Sequence, residues 1–194
     1  IRDIAVVVAS PAPAAARLLA EVAPEAAFSL AAIDYASVAI VTYVFEEGPD
    51  FEGSGFLVPP VDGTFIKAAT VSSNKWDWVA NTGRTGIRAS VGRAGEATLL
   101  HSDDADITAQ ALADLRTAFG GLPEPIDSRV QRWGGGLPQY AVGHLDRVDT
   151  IERDVATVHG LEVCGAAFRG IGIPAVIASG QAAARRLLGG TMTA

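Results

Sequence analysis

Residues 161–188 read LEVCGAAFRGIGIPAVIASGQAAARRLL, and this stretch organises the rest of the chain. Its first part, Leu161 to Ala167, is a short apolar run containing Val163 and Cys164 and bounded by glycine, the pattern of a buried strand. Gly165, Gly170 and Gly172 are then spaced through a turn. Pro174 follows where a first helical turn belongs, because a missing N–H costs nothing there. From Ala175 to Leu188 the residues are good helix formers, and Val176, Ile177, Ala184, Leu187 and Leu188 form the expected apolar stripe. Gly189 and Gly190 are the expected stop. The unit reads strand, glycine turn, helix. The free N–H groups at such a helix start favour an anion or an electron-rich ligand edge, and bare glycines let a flat ring approach the backbone. An ordinary strand-to-helix joint with packing glycines has the same spacing.

Outward from this unit the chain has strands in its middle and strand-plus-helix units at its ends. Ile4 to Ala9 is a valine-rich run of the kind covered on both faces, and Ser10-Pro11-Ala12-Pro13 breaks it. Ala14 to Val22 and Pro24 to Ala32 read as helices. Tyr35 to Phe45 (YASVAIVTYVF) is a buried strand, Glu46 to Gly55 a loop, and Gly55 to Val58 and Phe65 to Ser72 two further strands. Lys75 to Asn81, with two tryptophans, reads as a loop or partial helix. Thr85 to Val91 (TGIRASV) alternates as a strand does. Ile107 to Phe119 is a helix with Asp103 and Asp104 near its start and Gly120-Gly121 at its end. Ile126 to Trp133 is the next strand and Val148 to Val158 the next helix.

Composition narrows the class. Of 194 residues, 49% are hydrophobic and 19% charged, enough to build a core. A formal net charge of −7 argues against nucleic acid as a partner. With one cysteine, Cys164, there is no internal disulfide, and a reducing cytoplasm is expected. No uninterrupted apolar stretch reaches the roughly 18 residues of a membrane helix. The start, IRDIAVVVASPAP, carries Asp3 and lacks a basic leader, so it reads as a strand rather than a signal peptide. A chain that begins in a strand is expected to start partway through a larger protein.

Two motifs carry a family resemblance. GAAFRGIGIPAVIASGQAAA, from Gly165, resembles the C-terminal FAD motif of the flavin amine-oxidase superfamily. RWGGGLPQYAVGHLDRV, Arg132 to Val148, resembles the signature of the porphyrinogen oxidases of haem biosynthesis. The similarity runs from about Ile4 to Leu188 and covers only the C-terminal part of such an enzyme; the family's N-terminal GxGxxG fingerprint is absent.

The resemblance implies an α/β, mixed α+β fold: part of an FAD-binding Rossmann-like domain in residues 1–32 and 141–194, and a mixed-sheet portion of a substrate-binding domain in 33–140. It implies FAD as cofactor, a porphyrinogen as substrate and oxygen as oxidant. The porphyrinogen would lose six electrons in three two-electron steps, each reducing FAD. The wording of the second motif leans towards coproporphyrinogen III over protoporphyrinogen IX. Expected cofactor neighbours are Trp133, Gly170, Ile171 and Gly172, with Gly134 beside Trp133; expected substrate neighbours are Gly92 and Arg93. A flexible loop is the alternative for the glycines at 134–136, and a solvated loop residue the alternative for Arg93, whose guanidinium suits a propionate.

No acid–base residue or nucleophile is assigned. His144 could act as a base, but orienting a helix or turn is preferred. No clustered ligands give metal spacing, and Cys164 reads as inert. Cytoplasmic location, with or without peripheral membrane contact, is expected, and partnership with an N-terminal half or with a second copy is expected as well. Two other readings stand beside this one: an amine oxidase or carotenoid desaturase of the same superfamily, and a non-catalytic fragment or binding module without the N-terminal fingerprint.

Overall fold

The computed structural model describes residues 5–96 and 100–190. The chain is mixed α/β and divides into two compact units, Ile1–Tyr35 with Leu137–Ala194, and Ala36–Gly136. Ile4, at the head of the expected first strand, lies outside the described residues.

In the first unit, β1 (Val6–Val8) pairs in parallel with β7 (Leu161–Val163), Val6 opposite Leu161 and Val8 opposite Val163. Around them lie α1 (Ala12–Leu19), α2 (Pro24–Ala31), α6 (His144–Val155) and α7 (Ile173–Gly190). Both α1 and α2 begin beside a proline, where its fixed φ suits the first turn. Their buried faces are largely alanine (Ala12, Ala15, Ala23, Ala26), which lets the two helices approach closely, and Val148, Ile151 and Val155 of α6 complete the core. The polar groups of α6 match the ends of α2: Asp154 Oδ2 accepts the Ala26 N–H at 2.7 Å near the start, and Arg147 donates to the Ala32 carbonyl at 2.8 Å near the end. Each charge therefore meets the helix end whose free groups and dipole it complements.

The second unit is a five-stranded sheet in the order β3-β4-β5-β2-β6, made of β2 (Tyr35–Phe45), β3 (Gly55–Leu57), β4 (Ile66–Val71), β5 (Thr85–Val91) and β6 (Asp127–Pro138). The β2–β5, β4–β5 and β3–β4 pairs are antiparallel. Alternation sends Val41, Tyr43 and Phe45 of β2 and Ile87, Ala89 and Val91 of β5 inward, where α5 (Asp104–Phe119) covers them with Ile107, Ala111 and Leu115. Tyr43 donates to the Thr108 carbonyl at 2.6 Å, and Asp114 accepts the Ile66 N–H at 3.0 Å, so buried polar atoms of strand and helix satisfy each other. Two short helices, α3 (Ser72–Lys75) and α4 (Asp77–Ala80), occupy the tryptophan-bearing segment.

Several expectations change. β1 carries apolar surface in this chain: Val6 is 47% and Val7 41% exposed. β7 ends at Val163 rather than Ala167, because Gly165 (φ +127°) turns the chain away. α6 begins at His144, not Val148, with Gly143 in the left-handed conformation as its N-cap. α7 includes Gly189 and reaches Gly190, the last described residue. The apolar stripe expected on α7 is also displaced. Ile177 and Leu188 are 56% and 71% exposed, and the fully buried residue is Ala183.

Candidate functional site

The segment between β7 and α7 is held almost entirely by side chains. Its start is tied to β1 by the Cys164 N–H, which donates to the Val8 carbonyl at 3.1 Å. Burial raises the pKa of the Cys164 thiol, which favours the neutral form. The Gly165 N–H donates to Ser179 Oγ on α7 at 3.1 Å. Phe168 is buried in the core of this unit. Arg169 then reaches Asp149 at 2.6 Å and Glu152 at 2.7 Å on α6, and these hydrogen bonds raise its pKa.

Two stacked rings complete the support. Tyr140 and His144 lie 3.9 Å apart between ring centroids and 13° from parallel. Tyr140 Oη donates to the Ala166 carbonyl at 2.6 Å and accepts the Gly170 N–H at 3.0 Å. His144, 5% exposed, has Nε2 2.8 Å from the Phe168 carbonyl. A carbonyl only accepts, so Nε2 donates this bond; Nδ1 has no hydrogen-bond partner among the described residues. His144 thus orients the turn.

The three residues expected to meet the cofactor here behave differently. Gly170 is a glycine for the fold's own sake: φ is +153°, and an added Cβ would lie 2.6 Å from Ala175 Cβ. Gly172 has no such constraint. An added Cβ would meet only Pro174 Cδ, at 3.9 Å. Ile171, Gly172 and Ile173 are all exposed, and the first helical bond of the adjoining turn runs from the Val176 N–H to the Gly172 carbonyl. The result is a bare backbone strip between two exposed isoleucines at a helix start. No side chain stands on the backbone at Gly172, and the helix start leaves N–H groups free to donate.

In the second unit, Trp133 lies on β6 and is largely exposed. The glycines after it are not a free loop. They continue β6, with Gly135 at φ +56° and its N–H donating to Ser37 Oγ at 2.9 Å. The Ile126 N–H donates to the Val44 carbonyl, so β6 runs opposite to β2. Gly92 has φ +92°, and a Cβ there would lie 2.8 Å from the Ser37 carbonyl, so the fold alone requires this glycine. Arg93 is not a solvated loop residue. Its guanidinium donates to the Thr64 and Ile66 carbonyls at 3.2 and 3.1 Å and stands 3.6 Å from Glu96. Lys67, which the sequence reading missed, donates to the Gly92 carbonyl beside it; burial, and next the Arg93 charge, lower its pKa. Among the described residues no group of three or more His, Cys, Asp or Glu side chains is arranged to hold a metal ion.

A parallel strand pair leading through a glycine turn into a long helix is the arrangement of a nucleotide-binding type of α/β fold. Residues 4–188 match the family model described as flavin containing amine oxidoreductase, and the chain belongs to that family. It is 36% identical over 182 residues to the coproporphyrinogen III oxidase of Bacillus subtilis (strain 168), covering 92% of this chain and 38% of that protein. With the coproporphyrinogen III oxidase of Mycobacterium tuberculosis (strain ATCC 25618 / H37Rv) the identity is 37% over 180 residues, covering 92% and 39%. A crystal structure from Exiguobacterium sp. 255-15, of a protein provisionally assigned as a protoporphyrinogen oxidase, superposes with a TM-score of 0.82 at 32% identity over 95% of this chain and 41% of that one. Putrescine oxidase shares the fold at a TM-score of 0.66 and 16% identity, covering 95% of this chain and 42% of that one. The chain therefore spans about two fifths of the length of these relatives.

Proposed function

We propose that this chain is the C-terminal portion of an FAD-dependent oxidase that converts a porphyrinogen, coproporphyrinogen III rather than protoporphyrinogen IX, to the porphyrin in haem biosynthesis, with oxygen as the terminal acceptor. The observation that carries this reading is the 36–37% identity to coproporphyrinogen III oxidases over 92% of the chain. Bound FAD supplies the redox chemistry. The work left to these residues is placement. Gly172 admits the ring face, Ile171 and Ile173 keep water from its edge, and the helix start offers N–H donors to a polar edge that gains electron density on reduction. Trp133 is a further apolar neighbour for the cofactor.

On the substrate side, Gly92 is proposed as a backbone contact. Arg93 already commits both terminal nitrogens, to the Thr64 and Ile66 carbonyls, and stands 3.6 Å from Glu96. Its proposed contribution to a substrate carboxylate is positive charge near Gly92, shared with Lys67, rather than a free bidentate fork. The pyrophosphate and adenosine of FAD fall to the N-terminal glycine fingerprint that this sequence lacks. The same reading puts the protein in the cytoplasm, with any membrane contact peripheral. Among the described residues no helix is long and apolar enough to cross a membrane.

Visible spectra of the purified chain, alone and joined to the N-terminal region of its full-length protein, test the reading. A flavin band in the joined protein, with porphyrin formed from coproporphyrinogen III and oxygen, is the expected result. A joined protein that stays colourless would favour the non-catalytic binding module.

A further inference from the structure

We propose that Tyr140 is a positioning residue for the cofactor, holding the 166–170 arc in the conformation that presents Gly172, with His144 as its support. The inference rests on the reading that Gly172 faces the flavin, and deepens it by naming what holds the turn in place.

Three main-chain groups within five residues are held from one side by two side chains. Tyr140 Oη bridges the two ends of the arc, accepting from Gly170 N–H and donating to the Ala166 carbonyl. His144 holds the middle, at the Phe168 carbonyl. Stacking sets the two rings face to face as one plate. The plate is itself anchored: Gln139 N–H donates to the Asp34 carbonyl at 2.8 Å, and His144 N–H to the Ala141 carbonyl at 3.0 Å. Burial raises the pKa of Tyr140, as expected for a hydroxyl whose neutral form makes both bonds.

Gly170 is the weak point of the arc. At φ +153° its backbone sits in a region only glycine enters freely, and glycine leaves it just as freely. The bond to Tyr140 is what selects this conformation. Gly172 follows two residues later, so a rotation at Gly170 swings the bare strip away. Arg169 cannot substitute for the clamp. Its guanidinium pins the side chain to Asp149 and Glu152 and leaves the backbone beyond Gly170 free to turn.

The test uses the full-length protein with Tyr140→Phe and His144→Gln, which remove respectively the bridging hydroxyl and the stacked ring. Amide hydrogen exchange of the flavin-free protein reports the turn itself, and flavin titration reports its consequence. In Tyr140→Phe the Gly170 amide is expected to exchange at least about tenfold faster, with α1 and α2 amides unchanged, and FAD to bind about tenfold more weakly, close to the loss of one hydrogen bond. His144→Gln should move the same amides by less, since glutamine restores a donor to the Phe168 carbonyl. Unchanged exchange at Gly170 would overturn the proposal. So would faster exchange with unaltered FAD affinity, or faster exchange spread evenly through the unit, which marks general destabilisation. Gly172→Val, titrated in parallel, reports on the flavin reading alone: if it binds FAD normally, that reading fails whatever Tyr140→Phe does.

Discussion

Replacing Gly172 by valine separates a glycine kept for the cofactor from one kept for the fold. At Gly172 the backbone is outside the left-handed region, and an added Cβ meets only Pro174 Cδ at 3.9 Å, an ordinary contact. The residue is also exposed. The fold should therefore tolerate valine within about 0.5 kcal/mol, the range of surface changes that touch no special feature, a shift of at most about 2 °C in Tm. The cofactor should not tolerate it. A stacked ring sits about 3.5–4.0 Å from the atoms it covers, and a valine isopropyl group standing on this strip occupies that layer. The ring must lift and lose its dispersion contacts. We expect at least about a hundredfold weaker FAD binding, roughly 2.8 kcal/mol. Gly170→Val is the control of opposite sign. Its Cβ would fall 2.6 Å from Ala175 Cβ at φ +153°, so strain of about 1–3 kcal/mol should lower Tm by several degrees before any ligand is added. Flavin titration and thermal melting of the flavin-free, full-length protein decide the matter. A Gly172→Val protein that holds FAD at wild-type affinity would refute the reasoning, because the bareness of that strip would then serve nothing.

Three further outcomes are expected. Burial raises the Tyr43 pKa, so its folded form stays neutral above the ordinary value of 10.0, where the unfolded chain ionises. The stability this contributes is complete below pH 10 and is lost as pH rises beyond it. Tyr43→Phe should cost about 1 kcal/mol at neutral pH, from the lost bond to the Thr108 carbonyl, and should flatten the alkaline fall in denaturant midpoint; an unchanged fall would exclude Tyr43 as its source. Arg132 donates to the Leu100 carbonyl at 2.8 Å and the Ser102 carbonyl at 2.6 Å and pairs with Asp104 at the start of α5. Arg132→Met should cost about 2 kcal/mol and open residues 100–104 to protease, and wild-type nicking rates would count against this anchor. Finally, the apolar surface of Val6, Val7, Ile173 and Ile177 should make the isolated chain self-associate, and the N-terminal region should suppress this; sedimentation showing a concentration-independent monomer would remove the expectation.

The strands of the middle sheet were legible because one rule decides them. In β2 and β5 the side-chain period of two meets a single covered face, and both strands begin and end where the pattern does, at Tyr35–Phe45 and Thr85–Val91. The helix α5 was legible for the complementary reason. Its termini carry Asp103 as N-cap and Gly120 in the left-handed conformation, and its inward residues recur at helical spacing. The chain's ends obey no such rule. Large apolar residues on α7 suggested an inward stripe, but the helix turns Ala183 inward and leaves Ile177 and Leu188 exposed. Small residues win there because close packing against β7 depends on what fits, and hydrophobicity alone does not rank fit.

The site was legible in its glycines and illegible in its clamp. Glycine spacing marks a turn, but it does not distinguish Gly170 and Gly92, which steric contacts within the chain require, from Gly172, which no contact among the described residues requires. That distinction is what turns a motif into a candidate contact, and it appears only when the atoms around each missing side chain are known. Tyr140 lies within the 132–148 motif, yet its partners at Ala166 and Gly170 lie 26 and 30 residues away in sequence. An aromatic residue between Gln139 and Gly143 has no period to betray its direction. Its role follows instead from a satisfaction argument: an N–H at a strained glycine and a carbonyl four residues before it need partners, and one hydroxyl that both accepts and donates serves them together.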